Sequence, residues 1–204
     1  VRMQGAAKLA ADRGEPGRIN PQYLAAELGR ALDPEDILLN ESIRSSPAVS
    51  AQIPRTRPGT LIGLAGGGLG SSGGMALGVK LAHPERTVVQ VTGDGVFYFC
   101  NPEAVYATSK QYRLPIFTVV FDNSGWAAVK EATLRMYPEG EAKAAREYQA
   151  LLAPDMNFAK VAEAAGAYGE QLTDPGQVAA AIQRCLKEVR GGRSALLHAK
   201  VTPL

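Results

Sequence analysis

The stretch TVVQVTGDG (residues 87–95) begins as an apolar run and ends with an acidic residue, Asp94, between two glycines. A second run of the same kind, PIFTVVFDN (residues 115–123), ends in an Asp-Asn pair. Short apolar runs that are rich in β-branched residues and bounded by turn-formers are typical of buried parallel strands. Residues 101–112, between the two runs, are predicted to form a helix. The two runs therefore predict a strand–helix–strand unit.

The polar residues at the ends of these two strands predict a ligand site. The carboxyl ends of parallel strands meet at one edge of a sheet, where open α/β sheets bind ligands, so we expect Asp94 and Asn123 to lie close together. A carboxylate and a carboxamide supply oxygen ligands, which suit a hard cation such as Mg2+. The glycines beside Asp94 allow a diphosphate to approach the backbone closely.

The composition is that of an ordinary globular domain. The chain has 204 residues, of which 46% are hydrophobic and 21% charged, and its formal net charge is +2. A charge this small does not favour binding to nucleic acid or to a membrane surface. No apolar run approaches the roughly 18 residues that span a bilayer. Cys100 and Cys185 have no metal or redox spacing, so we expect no disulfide and a reducing, cytoplasmic location.

Strand and helix signals alternate along the chain, which predicts an α/β fold. We expect a three-layer α/β/α sandwich with a mostly parallel sheet of about six strands. The chain does not begin with Met and shows no signal-peptide pattern, which favours a piece of a longer protein. Residues 1–16 are expected to be a linker from a preceding domain, and residues 17–204 to form one domain.

The element boundaries follow from local signals. Asn20 and Asn157 are predicted helix N-caps, and Pro21 suits the first helical position. Residues 126–135 are predicted to be helical or irregular, and residues 138–154 to be a flap or surface insertion. Strands are predicted at residues 36–40, 61–64, 87–92, 115–121, 167–172 and 194–201, and further helices at residues 75–82 and 175–189.

A glycine-rich segment, AGGGLGSSGG (residues 65–74), has six glycines in ten residues. A lone glycine run is more often a flexible loop. This one stands between a predicted strand and a predicted helix, one strand–helix step before Asp94, and that position favours a loop that contacts a ligand.

Together these motifs resemble those of the thiamine diphosphate-dependent enzymes. The triplet at residues 93–95, followed after residues 96–121 by an Asp-Asn pair, resembles the family's cofactor motif, in which the pair is typically Asn-Asn. The resemblance runs from about Gly17 to Pro203, and it matches the carboxyl-terminal, diphosphate-binding domain of benzoylformate decarboxylase and acetolactate synthase relatives. Further matching segments are GRINP (17–21), LNES (39–42), GGLG (67–70) and ALGVKLAHPER (76–86).

The resemblance implies a site for thiamine diphosphate and Mg2+. It implies that Asp94, Asn123 and the backbone carbonyl of Gly125 bind the cation. Two diphosphate oxygens and one water would complete the octahedron that Mg2+ prefers. It also implies that Gly93 and Gly95 present their backbone to the diphosphate.

Further cofactor-binding residues are implied in the glycine-rich segment and after the first large strand. Leu69 occupies the place of the bulky residue beneath the thiazolium, and the backbone around Gly67 and Gly68 would accept a hydrogen bond from the aminopyrimidine. Glu41 lies near the diphosphate or the substrate. Arg44 stands where relatives often carry a hydroxyl residue, and its guanidinium fork suits a phosphate.

The function implied by the resemblance is decarboxylation of a 2-oxo acid, carbon–carbon bond formation, or both. The glutamate that activates the cofactor comes from another domain in the family, usually on a neighbouring subunit, so we assign no catalytic residue to this chain. The full protein is expected to be a homodimer or homotetramer. We expect the chain alone to bind the cofactor weakly and not to turn over.

Two other functions remain open. A non-catalytic module that binds thiamine diphosphate or a nucleotide for regulation is favoured by Val96, which stands where relatives such as benzoylformate decarboxylase have Ser. A dinucleotide-binding oxidoreductase would need a Gly-x-Gly-x-x-Gly turn after the first large strand, where the sequence has Asn-Glu-Ser (residues 40–42).

Several other polar and aromatic residues are expected to be structural. His83 and His198 have no evident acidic partner, so neither is predicted to be catalytic. Trp126 and Tyr98 are expected to pack, and Cys100 to be a buried, inert thiol.

Overall fold

A parallel β-sheet forms the centre of the molecule, as the sequence predicts. The structure is a computed structural model and describes residues 2–63, 68–153 and 155–202. The strands are β1 (Gly14–Glu15), β2 (Arg18–Ile19), β3 (Ile37–Glu41), β4 (Leu61–Gly63), β5 (Val88–Gly93), β6 (Phe117–Asp122), β7 (Tyr168–Leu172) and β8 (Ala195–Lys200). Within the described ranges, six of them form one all-parallel sheet in the order β4-β3-β5-β6-β8-β7. Strands β1 and β2 form a separate antiparallel pair.

Helices cover both faces of this sheet, which confirms the predicted three-layer α/β/α fold. They are α1 (Arg2–Leu9), α2 (Pro21–Ala31), α3 (Ser46–Gln52), α4 (Ser72–Ala82), α5 (Asp94–Phe99), α6 (Pro102–Tyr112), α7 (Ala127–Met136), α8 (Glu141–Ala145), α9 (Phe158–Ala164) and α10 (Val178–Arg190). Helices α2, α3 and α10 pack on one face, and α4, α6 and α9 pack on the other.

The apolar runs that predict β5 and β6 are buried because their side chains alternate between two cores. On β5, Val89 and Val91 face the core under α2 and α10, whereas Val88 faces the core under α4. On β6, Val119 and Val120 divide in the same way. A strand buried on both faces has no polar side to display, which explains the nearly continuous apolar sequence.

The predicted N-caps are confirmed. The side chain of Asn20 accepts a hydrogen bond from the Gln22 N–H at 2.8 Å, and Asn157 accepts one from the Ala159 N–H at 3.0 Å. These bonds satisfy amide groups that the first turn of a helix leaves without partners.

Helices α4 and α5 differ from the prediction. Helix α4 begins at Ser72, three residues before the predicted start, inside the glycine-rich segment. Helix α5 was not predicted, because six residues directly after a strand are too few to show a helical period. The predicted strand at residues 61–64 ends at Gly63, and its last position lies outside the described residues.

The predicted flap at residues 138–154 contains the short helix α8 and then returns to the sheet edge. There Leu151 forms an isolated antiparallel bridge with Gly125. None of the described helices is both long and apolar enough to cross a membrane.

Candidate functional site

The sheet brings the predicted site residues to one edge. Strands β3, β5 and β6 are adjacent and parallel, and they end at Glu41, Gly93 and Asp122 respectively. Asp94 follows β5 and begins α5, and Asn123 follows β6. Parallel pairing therefore places a carboxylate and a carboxamide side by side at the carboxyl edge of the sheet.

Asp94 links the loops that follow β5 and β6. Its side chain is buried, its Oδ1 accepts a hydrogen bond from the Gly95 N–H at 2.9 Å, and its Oδ2 accepts one from the Gly125 N–H at 2.7 Å. Burial, followed by the nearby charge of Asp122, raises the pKa of Asp94 well above its usual range. A cation bound at this carboxylate would favour the charged form and oppose that shift.

Asn123 offers a buried side-chain oxygen to the site. Its Oδ1 is buried and accepts no hydrogen bond from any residue that the structure describes. A buried polar atom of this kind calls for a physical explanation, because leaving it unpaired costs free energy. An ion held between this oxygen and Asp94 would satisfy it.

Gly125 turns its backbone toward Asp94. On the two sides of the bridge, the Trp126 N–H donates to the Ala150 carbonyl at 2.8 Å and the Leu152 N–H donates to the Ser124 carbonyl at 3.3 Å. In this pattern the N–H and C=O of the bridged residue point away from the partner strand. The Gly125 N–H accordingly reaches Asp94, and its carbonyl is directed to the same side.

The glycines around Asp94 have different roles in packing. A Cβ at Gly95 would lie 2.3 Å from Cδ1 and Nε1 of Trp126, so the tryptophan can pack there only against a glycine. At Gly93 the nearest atom would be the Ser42 carbonyl oxygen at 3.7 Å, which is an ordinary contact. Packing therefore explains why residue 95 is a glycine. At Gly93 no described neighbour crowds the backbone, so a ligand could approach it at the sheet edge.

Trp126 and Tyr98 both make aromatic contacts. The Trp126 ring stacks on Phe99 with a centroid distance of 6.1 Å. Tyr98 meets Phe158 edge to face at 5.5 Å. Cys100 is buried, and burial raises the pKa of its thiol, as expected for an inert cysteine.

The described part of the glycine-rich segment leads into α4 and exposes an apolar side chain. Gly67 lies outside the described residues, and Gly68 and Leu69 are exposed, with Leu69 at 42%. Gly70 has a φ of +91°, and a Cβ there would lie 2.4 Å from the Phe99 carbonyl carbon. The segment thus rests directly on the end of α5.

Glu41 holds the glycine-rich segment through two hydrogen bonds to its backbone. The residue is buried, its Oε1 accepts a hydrogen bond from the Gly70 N–H at 2.7 Å, and its Oε2 accepts one from the Ser72 N–H at 2.8 Å. Ser72 begins α4, so the carboxylate also lies at the positive end of that helix dipole. Both carboxylate oxygens therefore bond to the protein's own backbone, and a direct contact between Glu41 and the cofactor stays a prediction.

Arg44 pairs with an acid on the neighbouring helix. It follows Ile43, a non-glycine residue with a φ of 38°, and its guanidinium forms a salt bridge with Glu131 of α7. Its Nε is buried with no hydrogen-bond partner among the described residues. A contact between Arg44 and a diphosphate stays a prediction.

The expectation that His198 lacks an acidic partner was wrong. His198 Nε2 lies 2.6 Å from Asp122 Oδ2, and Lys200 Nζ lies 2.6 Å from the same oxygen. Burial alone would raise the pKa of Asp122, but hydrogen bonds from His198 and Lys200 outweigh it and hold that pKa below its usual range. Adjacent strands β6 and β8 bring these residues together, and no local sequence pattern indicates their register.

A cavity opens beside the loop that follows β6. It has a volume of about 730 Å3 and lies between α7 and the segment that leads to the Leu151 bridge. Its walls include Asn123, Gly125, Lys130, Leu134, Tyr148 and Leu151.

These features define a class of protein, an α/β domain that presents a carboxylate, an amide oxygen and open backbone to a ligand at the carboxyl edge of its sheet. The family model described as "Thiamine pyrophosphate enzyme, C-terminal TPP binding domain" matches residues 45–199. The chain belongs to this family of thiamine diphosphate-binding domains.

Its relatives are much longer proteins. The acetolactate synthase isozyme 3 large subunit of Escherichia coli (strain K12) is 31% identical over 179 residues, which are 86% of this chain and 29% of the relative. The 3D-(3,5/4)-trihydroxycyclohexane-1,2-dione hydrolase of Lacticaseibacillus casei is 34% identical over 130 residues, which are 63% of this chain and 19% of the relative. The chain therefore spans less than a third of the length of these relatives.

A solved structure has the same fold. The thiamine diphosphate-dependent 4-hydroxybenzoylformate decarboxylase of Rhodococcus jostii RHA1 superposes with a TM-score of 0.79 at 22% identity, over 91% of this chain and 33% of that one.

Proposed function

We propose that this chain holds the diphosphate half of thiamine diphosphate, through Mg2+, in an enzyme that decarboxylates a 2-oxo acid, forms a carbon–carbon bond, or does both. The observation that carries the proposal is the buried Oδ1 of Asn123, which lies at the same sheet edge as Asp94 and has no partner among the residues that the structure describes. Oxygen donors of this kind suit Mg2+ better than a softer metal.

The residues present fit the cation. Asp94 keeps lone pairs beyond the two backbone bonds that it accepts. Asn123 offers an amide oxygen that no described residue occupies, and the bridge geometry directs the Gly125 carbonyl to the same side. These three groups would supply one charge and three oxygens. The diphosphate and water would supply the remaining ligands.

The backbone beside Asp94 would receive the diphosphate. Gly93 leaves its backbone open, and Gly95 lies in the first turn of α5. Val96 is buried and carries no hydroxyl, so diphosphate contacts would come from backbone amides and the cation. Arg44 would reach a phosphate only by exchanging its salt bridge with Glu131.

The apolar side of the cofactor would rest on Leu69. A leucine with 42% exposure gains about 25 cal/mol for each Å2 of apolar surface that a ligand covers. Glu41, through Gly70 and Ser72, would hold this residue in place. When bound, thiamine diphosphate supplies the electron sink for the decarboxylation.

The rest of the proposal concerns the longer protein. The family resemblance implies that the activating glutamate comes from another domain on a neighbouring subunit, in a homodimer or homotetramer. The cavity beside Asn123 would then receive the substrate at that boundary. The chain by itself would bind the cofactor weakly and would not turn over.

Calorimetry of thiamine diphosphate binding tests the proposal. Binding should require Mg2+, and Asp94→Asn should weaken it strongly. Glu163→Gln is a matched control, since it also removes one carboxylate charge but lies on an exposed face of α9. Binding that is independent of Mg2+, or equal in Asp94→Asn and the control, would contradict the cation site. Turnover of a 2-oxo acid by the longer protein would separate an enzyme from a regulatory module.

A further inference from the structure

We propose that Asp122, His198 and Lys200 form an anchor that positions the cation-binding loop, residues 122–125, and that His198 is a positioning residue for cofactor binding. The proposal rests on the proposed function for its effect on Mg2+, but the anchor itself is defined by contacts within the chain. It assigns a role to a histidine that the cation site does not touch.

Two members of the anchor are buried, and the third, Lys200, is partly exposed. Asp122 is 3% exposed and His198 is fully buried. The register of β6 and β8 pairs Asp122 with Lys200 and Val120 with His198. One oxygen, Asp122 Oδ2, thus accepts a hydrogen bond from His198 Nε2 and forms a salt bridge with Lys200 Nζ, each at 2.6 Å.

The protonation of the imidazole follows from its second contact. His198 Nδ1 accepts a hydrogen bond from the Phe158 N–H at 3.3 Å, so this nitrogen carries no proton. The proton is therefore on Nε2, which donates to Asp122. The Phe158 ring packs on the imidazole at 4.8 Å, so the ring is fixed by contacts at both nitrogens and on its face.

The other oxygen of Asp122 shapes the loop. Asp122 Oδ1 accepts a hydrogen bond from the Ser124 N–H at 2.8 Å. Ser124 has a φ of 68°, a left-handed conformation that a non-glycine residue adopts only when its surroundings hold it there. Asn123 lies between the two residues joined by this bond. The direction of its amide oxygen therefore depends on the orientation of the Asp122 carboxylate.

A series of contacts connects His198 in the core with the proposed cation ligands. His198 and Lys200 fix Oδ2, the carboxylate then presents Oδ1 to Ser124, and the Gly125 N–H completes the loop by donating to Asp94. Loss of the donor at His198 Nε2 would leave Oδ2 with the partly exposed Lys200 alone, so the orientation of the carboxylate would be held less firmly. Residues that orient metal ligands in this way typically contribute about 10–100-fold to metal affinity.

Three substitutions separate positioning from general stability. His198→Gln retains an N–H donor close to the position of Nε2, whereas His198→Leu keeps an apolar side chain of similar size without a donor. Leu196→Val is the control, because it trims a fully buried side chain of the same strand that packs in the core containing Phe158. Thermal unfolding of each variant shows how much folded stability it has lost.

The first measurement is Mg2+-dependent thiamine diphosphate affinity by calorimetry, on folded protein. We expect His198→Leu to weaken it at least about tenfold, and His198→Gln and Leu196→Val to stay within about threefold of wild type. Equal affinity in His198→Leu and wild type would overturn the proposal. An equal loss in Leu196→Val would show that the effect is one of stability.

The second measurement needs no cofactor. Hydrogen exchange of the Ser124 and Gly125 amides should accelerate in His198→Leu but not in His198→Gln or Leu196→Val. If wild type shows no Mg2+-dependent binding, the proposed function fails while this exchange pattern still tests the anchor. Unchanged exchange at both amides in His198→Leu would overturn the anchor whatever the binding result.

Discussion

Replacing Glu41 with Gln should loosen the glycine-rich segment and lower the free energy of unfolding. The Glu41 carboxylate accepts two backbone hydrogen bonds, at 2.7 Å from Gly70 and 2.8 Å from Ser72. Gln presents one oxygen and one NH2 group, so one backbone N–H would lose its acceptor and face another donor.

The energy follows from that single lost contact. A hydrogen bond to a charged group contributes about 1.5–3 kcal/mol, and a buried N–H without a partner costs about 1–3 kcal/mol. The lost hydrogen bond and the unpaired N–H are two aspects of the same change, so their free energies do not add. We therefore expect Glu41→Gln to lower the free energy of unfolding by about 1.5–3 kcal/mol. The exposed control Glu163→Gln should change it by about 0.5 kcal/mol or less.

Urea unfolding measures the stability, and hydrogen exchange at Gly70 and Ser72 locates the change. This variant also separates two roles for Glu41. A residue that supports the loop loses stability without any ligand, whereas a residue that only contacts the cofactor loses affinity with stability intact. Unchanged unfolding and unchanged exchange at both amides would refute the supporting role.

Two further predictions concern the loops around Asp94. Gly95→Ala should destabilise the fold by about 1–3 kcal/mol, because the new Cβ would lie 2.3 Å from the Trp126 ring; urea unfolding with tryptophan fluorescence measures it, and an unchanged midpoint would contradict the packing. Asn123→Ala should leave the stability of the cation-free protein nearly unchanged, since the Asn123 Oδ1 has no described partner to lose, yet it should remove Mg2+-dependent binding. A large stability loss in Asn123→Ala without Mg2+ would show that the amide has a structural role instead.

The sequence predicts the sheet well because its central strands are buried on both faces. Continuous apolar runs such as residues 115–121 then coincide with strands, and the caps Asn20 and Asn157 mark helix starts through contacts two residues away. Helix α5 was not predicted, because its six residues directly follow β5 and are too few to show a helical period. The strands and the N-caps could be predicted because each depends on a pattern within a few residues of sequence.

Contacts between distant parts of the chain could not be predicted. Glu41 meets Gly70 and Ser72 across 29 and 31 positions, and Asp122 meets His198 across 76. The second contact depends on the register of β6 against β8, which no short pattern specifies. The residues of the proposed cation-binding loop could therefore be chosen from the sequence, whereas the contacts of Asp122 with His198 and Lys200 are visible only in the fold.

The most direct test of the account is the Mg2+ dependence of thiamine diphosphate binding in wild type and Asp94→Asn, measured by calorimetry on the same preparation. The account predicts binding that requires Mg2+ in wild type and is lost or much weaker in Asp94→Asn. Binding of equal affinity with and without Mg2+, unaffected by Asp94→Asn, would contradict it.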